Sequence, residues 1–269
     1  MRHQTLRVTC VGAAVSVLAA VLVAQQASLG YDDTPLQPNR RWHIHDGARP
    51  QPRVVKPGDA GTMSLAPAPQ DAAVLVGSGD DRQAWQMLDG SPVTWAMSNG
   101  VLETGKGIIR TKAEFTDFQL HVEFATPREV KGDSQGRGNS GVFLGGKFEI
   151  QVLDSYQNPT YPDGQAAAMY GQYPPLVNAS RPPGEWQAYD VVFKAPRFTS
   201  ATLDAPAVVT VFHNGIVVHH ATAFWGPTAH KRIEPYGPET AKGPLSLQDH
   251  GNPVRYRNIW IRPLKGYDE

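Results

Sequence analysis

Residues 208–220, VVTVFHNGIVVHH, constrain the fold more than any other part of the chain. Asn214 and Gly215 stand between two apolar runs, and an Asn-Gly pair suits the left-handed backbone that both central positions of a type I′ turn require. The stretch therefore predicts a tight hairpin, which commits its two strands to antiparallel pairing. Residues 118–126, FQLHVEFAT, carry the same period: Leu120, Val122 and Phe124 point one way and Gln119, His121 and Glu123 the other. AVLVG, GVLETG, SGVFLGG, FEIQVLD, QAYDVVFKA, GPLSLQDH and VRYRNIWIRP continue the series, and 26 glycines and 23 prolines punctuate it. Many short strands with turns and no helical period between them predict an all-β, antiparallel β-sandwich over residues 71–265.

The first 27 residues have a different logic. Arg2 and Arg7 precede an uncharged apolar run over residues 8–24 that ends in small residues, the layout of a secretory signal peptide. A retained anchor is the competing reading; cleavage predicts an exported protein, periplasmic or extracellular, with no stable membrane insertion afterwards. Cys10, the single cysteine, lies in this segment, so thiol chemistry and disulfides are excluded from the mature chain. Residues 28–70 are rich in proline and lack apolar periodicity, which predicts an extended, surface-hugging arm that holds little core. Within it His43 and His45 share a side of any extended segment, but two histidines without a third ligand read as surface residues, as do His219 and His220. No metal and no cofactor are expected. The 25 basic and 25 acidic residues cancel, which gives no electrostatic case for nucleic acid or an anionic membrane and favours a small neutral partner.

The chemistry centres on KFEIQVLDS. Period two sends Phe148, Ile150 and Val152 to the core and puts Glu149 and Gln151 on the opposite face. Asp154, five positions after Glu149, reaches the same face only if a β-bulge intervenes. With that bulge two carboxylates flank one groove, as acid/base work on a sugar needs; the spacing resembles the Glu-x-Asp-x-x-Glu motif of laminarinase-type glucanases, with Gln151 replacing the middle carboxylate. Without it, the polar residues are the solvated side of an ordinary strand. Gln248 and His250 in SLQDHGNP, and Arg255, Arg257 and Trp260 in VRYRNIWI, add amides, charges and a ring of the kind that reads hydroxyls and covers a pyranose face.

On IIRTKAEFTDFQLHVEF, GRGNSGVFLGGKFEIQVLDSYQNPTYPDGQAAAMYGQYPPLVNASRPPGEWQAYDVVF and GPLSLQDHGNPVRYRNIWI, residues 73–263 resemble the 3-keto-disaccharide hydrolase domain family. The resemblance implies a concanavalin-like jelly roll, export, and hydrolysis of glycosides whose glucose C3 has been oxidised to a ketone. Carried over by motif, it singles out Asn139, Glu149, Gln151, Tyr170, Glu185, Trp186, His250, Arg257 and Asn258. Gly145 and Gly146 stand where many members have an arginine or a bulky residue. A C3 ketone acidifies the C2 proton, so cleavage can run by elimination and hydration as well as by direct displacement. Glu149 or His250 is then the candidate base and Asp154 the candidate acid. Arg257, Asn139 or Gln151 can steady the growing oxyanion, with Tyr170, Gln248 and Trp186 as further substrate contacts. A lectin-like module that binds sugar without turnover is the alternative.

Overall fold

The computed structural model describes residues 29–58 and 67–266; the predicted signal peptide, residues 1–27, lies outside the described residues. Strands with one apolar face need a second layer to bury it, and the described residues supply two large sheets beside two two-stranded ones, Arg53–Val54 with Val177–Asn178 and Arg197–Thr199 with Thr202–Ala205. The larger runs Ile216–Ala223, Val208–His213, Gln187–Lys194, Phe118–Ala125, Arg255–Pro263, Val101–Glu103, Ala96–Ser98, with Ala73–Val76 also paired to Arg255–Pro263. The smaller runs Trp85–Met87, Ile109–Thr111, Ser246–Leu247, Asn139–Leu144, Phe148–Leu153. Every pairing within both large sheets is antiparallel, so the architecture is the expected all-β sandwich of concanavalin-like jelly-roll type. Asn214 and Gly215 adopt φ of 52° and 80° and close the hairpin between Val208–His213 and Ile216–Ala223.

The core lies between the layers. Leu120, Val122, Phe124, Val191 and Phe193 from the large sheet meet Val142, Leu144, Phe148, Ile150 and Val152 from the small one, all buried. Two hydroxyls cross the gap: Tyr189 Oη donates to the Gln151 carbonyl at 2.7 Å, and Tyr256 Oη donates to Ser140 Oγ at 2.7 Å. They fix the hairpin Asn139–Leu144/Phe148–Leu153 against the opposite layer. Phe148–Leu153 is the sheet's last strand, and an exposed edge would offer unpaired backbone groups. Residues 167–170 cover it: Ala167 N donates to Gln151 O at 2.8 Å, Gln151 N to Ala168 O at 3.0 Å, and Tyr170 N to Glu149 O at 3.2 Å.

Two expectations are corrected. The arm is not a surface strap with little core, since Gln37, Ile44 and His45 are 0%, 1% and 0% exposed. The reason is the fully buried Asp163, whose carboxylate takes hydrogen bonds from Gln37 Nε2 (3.1 Å), His45 N (2.9 Å) and His45 Nδ1 (3.1 Å). A buried carboxylate needs such donors, and the arm delivers them. His219 is buried as well, with Nε2 against the Ala167 carbonyl at 2.8 Å. The second correction is the bulge: the Asn139–Leu144 and Phe148–Leu153 strands pair without a register shift from Leu144/Phe148 to Asn139/Leu153. Asp154 therefore keeps the parity of Val152, opposite to Glu149.

Candidate active site

Parity turns Glu149 and Gln151 to the outer face of the small sheet. There they form the floor of a cavity of about 360 Å³, a size that suits a small-molecule site. Both are nonetheless buried, at 5% and 2% exposure, because other segments roof the face. Asn139 shares the floor from the neighbouring strand, Tyr161 and Tyr170 form walls from the loop after Asp154, and Thr228, Ala229 and His230 close another side. Gln248 and His250 arrive from the end of the Ser246–Leu247 strand, with exposed His250 and His230 at the mouth. Tyr31, from the arm, completes the rim.

The electrostatics follow from this enclosure. Among the described residues no cation shifts Glu149, so burial pushes its carboxyl up to about 8, and it holds its proton at neutral pH. Gly141, directly across from Gln151, makes the space: a Cβ there would lie 2.4 Å from Glu149 Oε1. The Gln151 amide has two settings. In one its NH₂ reaches Gln135 Oε1 (3.0 Å) and the Gly164 carbonyl (3.3 Å). In the other it reaches Glu149 Oε1 (3.0 Å) and the Ser140 carbonyl (2.9 Å). Each setting leaves the amide oxygen beside an acceptor, the Ser140 carbonyl in the first and Gln135 Oε1, 3.0 Å away, in the second. Asn139 Nδ2 donates to the Gln135 carbonyl at 2.9 Å, while its buried Oδ1 has no hydrogen-bond partner.

The walls carry neutral donors. Tyr170 Oη lies 3.2 Å from Tyr161 Oη and 3.0 Å from His230 Nδ1, and burial pushes both phenols well above their ordinary range. Burial, then His45, Lys231 and His250, hold His230 below the usual imidazole value, so it is neutral at pH 7. Among the described residues no three His, Cys, Asp or Glu side chains group to hold a metal ion.

The structure thus brings Glu149, Gln151, Asn139, Tyr170, Gln248 and His250 together and places Asp154, Arg257, Trp186, Glu185 and Asn258 elsewhere. Asp154 ion-pairs with Arg137 and accepts from Tyr156 N at 3.3 Å. Arg257 and Trp186 line a separate cavity of about 900 Å³. There the guanidinium lies 4.1 Å from the Trp186 ring centroid and its Nε donates to Glu123 Oε2 at 2.6 Å. Glu123 also takes Asn258 Nδ2 at 2.9 Å and faces His121, which is bonded to Asp190 and stacked on Trp260. This larger cavity is lined by one carboxylate among the described residues, the exposed Glu185, and by Lys56, Arg181 and Arg257, the last paired with Glu123. Sequence reasoning did not find Tyr31, Gln135, Tyr161, Thr228 or His230. His45 was noticed through HIHD but assigned to the surface, and the proline-turn signal YPDG held the clue to its partner, Asp163.

A profile of the 3-keto-alpha-glucoside-1,2-lyase-like domain matches residues 72–262. A 3-keto-disaccharide hydrolase from Bacteroides thetaiotaomicron is 26% identical over 235 residues, which span 70% of this chain and 73% of that protein. Among solved structures, a candidate glycosyl hydrolase from Parabacteroides distasonis is 42% identical, with a TM-score of 0.71 over 80% of this chain and 93% of that one. A second from the same organism, at 19% identity and a TM-score of 0.52, covers 73% and 95% and shares the fold.

Proposed function

The chain belongs to the 3-keto-alpha-glucoside-1,2-lyase-like domain family and is a carbohydrate-active protein of glycosyl hydrolase type, and on that premise we propose that it cleaves 3-keto-glycosides by elimination and hydration. The observation that carries this reading is Glu149: a carboxyl on the floor of a sugar-sized cavity, kept protonated at neutral pH by its burial. Among the described residues Glu149 is the single carboxyl lining that cavity. Direct displacement needs a pair of carboxyls about 5 to 9.5 Å apart, and Asp154, turned to Arg137, does not supply the second.

A base removes the C2 proton, the C–H electrons form the C2–C3 double bond, and negative charge moves onto the C3 oxygen. The enolate then reforms the ketone, the C1–O bond breaks, and a C1–C2 double bond remains for water to add across. Neutral donors aimed at the C3 oxygen lower the first barrier. Tyr170 and protonated Glu149 have that character. His230, neutral at pH 7, acts as the base through Nε2 when Nδ1–H donates to Tyr170 Oη, an arrangement that leaves the phenol proton free for the substrate. The imidazolium so formed returns the proton to the leaving oxygen. Glu149 is thus a donor here and not the base. Asn139 Oδ1, Gln151 and Gln248 read hydroxyls around the ring.

Action outside the cytoplasm belongs to the same proposal; it is supported by Arg2, Arg7 and the apolar run of residues 8–24. The purified protein is mixed with a 3-keto-disaccharide and with its unoxidised parent. Cleavage of the first alone is the expected result. Binding without turnover by folded protein would reduce it to a carbohydrate-binding module, and failure on both would remove the substrate class.

A further inference from the structure

The family domain begins at residue 72, yet part of the cavity comes from before it. Tyr31 lies on the rim with Lys231 Nζ 3.4 Å from its ring centroid. His45 lies behind the wall, completely buried, with its ring centroid 4.3 Å from Tyr161, 4.7 Å from Tyr170 and 5.2 Å from His230, stacked on the last. Its Nδ1 is tied to Asp163, and its Nε2 is buried without a hydrogen-bond partner. Its backbone is left-handed, φ 60°, a conformation that a non-glycine residue keeps only where its surroundings impose it. Gln37 fastens the same knot by donating to Asp163 and to the Gly171 carbonyl, and Arg49 Nη1 donates to Gln37 Oε1 at 3.0 Å and to the Gln172 carbonyl at 3.1 Å. Residues 170–172 are thereby gripped by the arm.

We propose that the arm is an integral part of the active site and that His45, oriented by Asp163, is a positioning residue that holds and electrostatically tunes the Tyr170–His230 pair. This rests on the functional reading above for its meaning in catalysis, but the coupling between the two imidazoles does not. Covering the His45 ring with Tyr161, Tyr170 and His230 fixes the direction of the Tyr170 hydroxyl. Partial burial keeps His230 low, and nearness to His45, Lys231 and His250 adds to it; Tyr170 Oη bonds its Nδ1, and the Tyr31 ring packs edge-on against it at 5.9 Å.

Histidine-labelled wild-type protein is followed by NMR across pH, with no substrate present. The His45 ring signals are expected to show an inflection at the His230 midpoint. In His45→Gln that midpoint rises toward the ordinary imidazole value. On a 3-keto-glycoside, the acid limb of the kcat/KM profile moves by the same amount, and kcat falls more than KM changes. His45 signals indifferent to the His230 titration in the wild type would overturn the proposal, and this reading needs no variant to fold. So would an unmoved His230 midpoint in folded His45→Gln. If instead the NMR coupling is present and no 3-keto-glycoside is cleaved, it is the substrate reading that fails.

Discussion

Glu149 decides what this cavity can do, because a carboxylic acid that keeps its proton at pH 7 donates where an ordinary glutamate can only accept. The role makes a sharp prediction. Glu149→Gln retains a donor of similar shape, so its activity on a 3-keto-glycoside should fall by only about tenfold, whereas Glu149→Ala should lose about 10² to 10³, as for a missing oxyanion donor. In the wild type the rate rises as His230 loses its proton below pH 6.5 and falls again as Glu149 loses its own through about pH 8. Glu149→Gln should abolish the alkaline limb and keep the acid one. A loss in Glu149→Gln as deep as in Glu149→Ala would show that proton removal, not donation, is its task. Gly141 is tied to the same atom: Gly141→Ala puts a methyl into the space of Oε1 and against the Phe143 ring. It should cut kcat/KM by about tenfold or more at a cost near 1 kcal/mol in unfolding free energy, measured by urea titration.

At the scale of strands, Asp154 shows how one residue of parity separates chemistry from structure. It follows the last residue of Phe148–Leu153, pairs with Arg137, and donates its backbone N–H to the Gly138 carbonyl at 2.7 Å. Asp154→Asn should therefore cost about 1 to 3 kcal/mol of stability, by leaving Arg137 with a weaker partner, and leave kcat/KM within a factor of about 3. A catalytic loss without a stability loss would restore it to the site. Alternation alone was enough to place Glu149 and Gln151 opposite Phe148, Ile150 and Val152, and Asn214-Gly215 to place a hairpin. It could not say which sheet a strand joins. Ser246–Leu247 enters the small sheet and carries Gln248 and His250 toward Glu149, while Arg255–Pro263 enters the large one and takes Arg257 to Trp186. His45 was illegible for a related reason: what draws it inward is Asp163, 118 residues away in the chain. A local pattern holds no record of such a partner.

Across the whole molecule the buried titratable groups set opposing demands, and together they define where the fold is most stable. Burial pushes His213 down to about 3 and His219 to about 4, against about 6.5 in an unfolded chain. Their contribution is fully present above pH 6.5 and is lost as pH falls, since the unfolded state then binds two protons that the fold refuses. Glu149 acts in the other direction. Its folded value of about 8 lies above the unfolded 4.5, so its contribution is complete below pH 4.5 and is lost as pH rises through 8. His121 adds to that loss: burial opposes its charge, but Asp190 and Glu123 prevail and raise it to about 9, so its contribution is complete below 6.5 and fades as pH rises through 9. Between pH 4.5 and 6.5 His213 and His219, joined by the lowered His230, outweigh Glu149 and the raised Asp154, and above 6.5 the losses at Glu149 and His121 dominate. Stability should accordingly peak near pH 6.5 and fall on the alkaline side by up to about 1.4 kcal/mol per pH unit for each group. Urea unfolding at pH 5, 6.5 and 8 checks the peak. Glu149→Gln should flatten the alkaline arm and be more stable than the wild type at pH 8; a variant whose stability follows the wild-type curve from pH 6.5 to 8 would mean that Glu149 is already ionised in the fold, and the neutral donor at the centre of the mechanism would be lost with it.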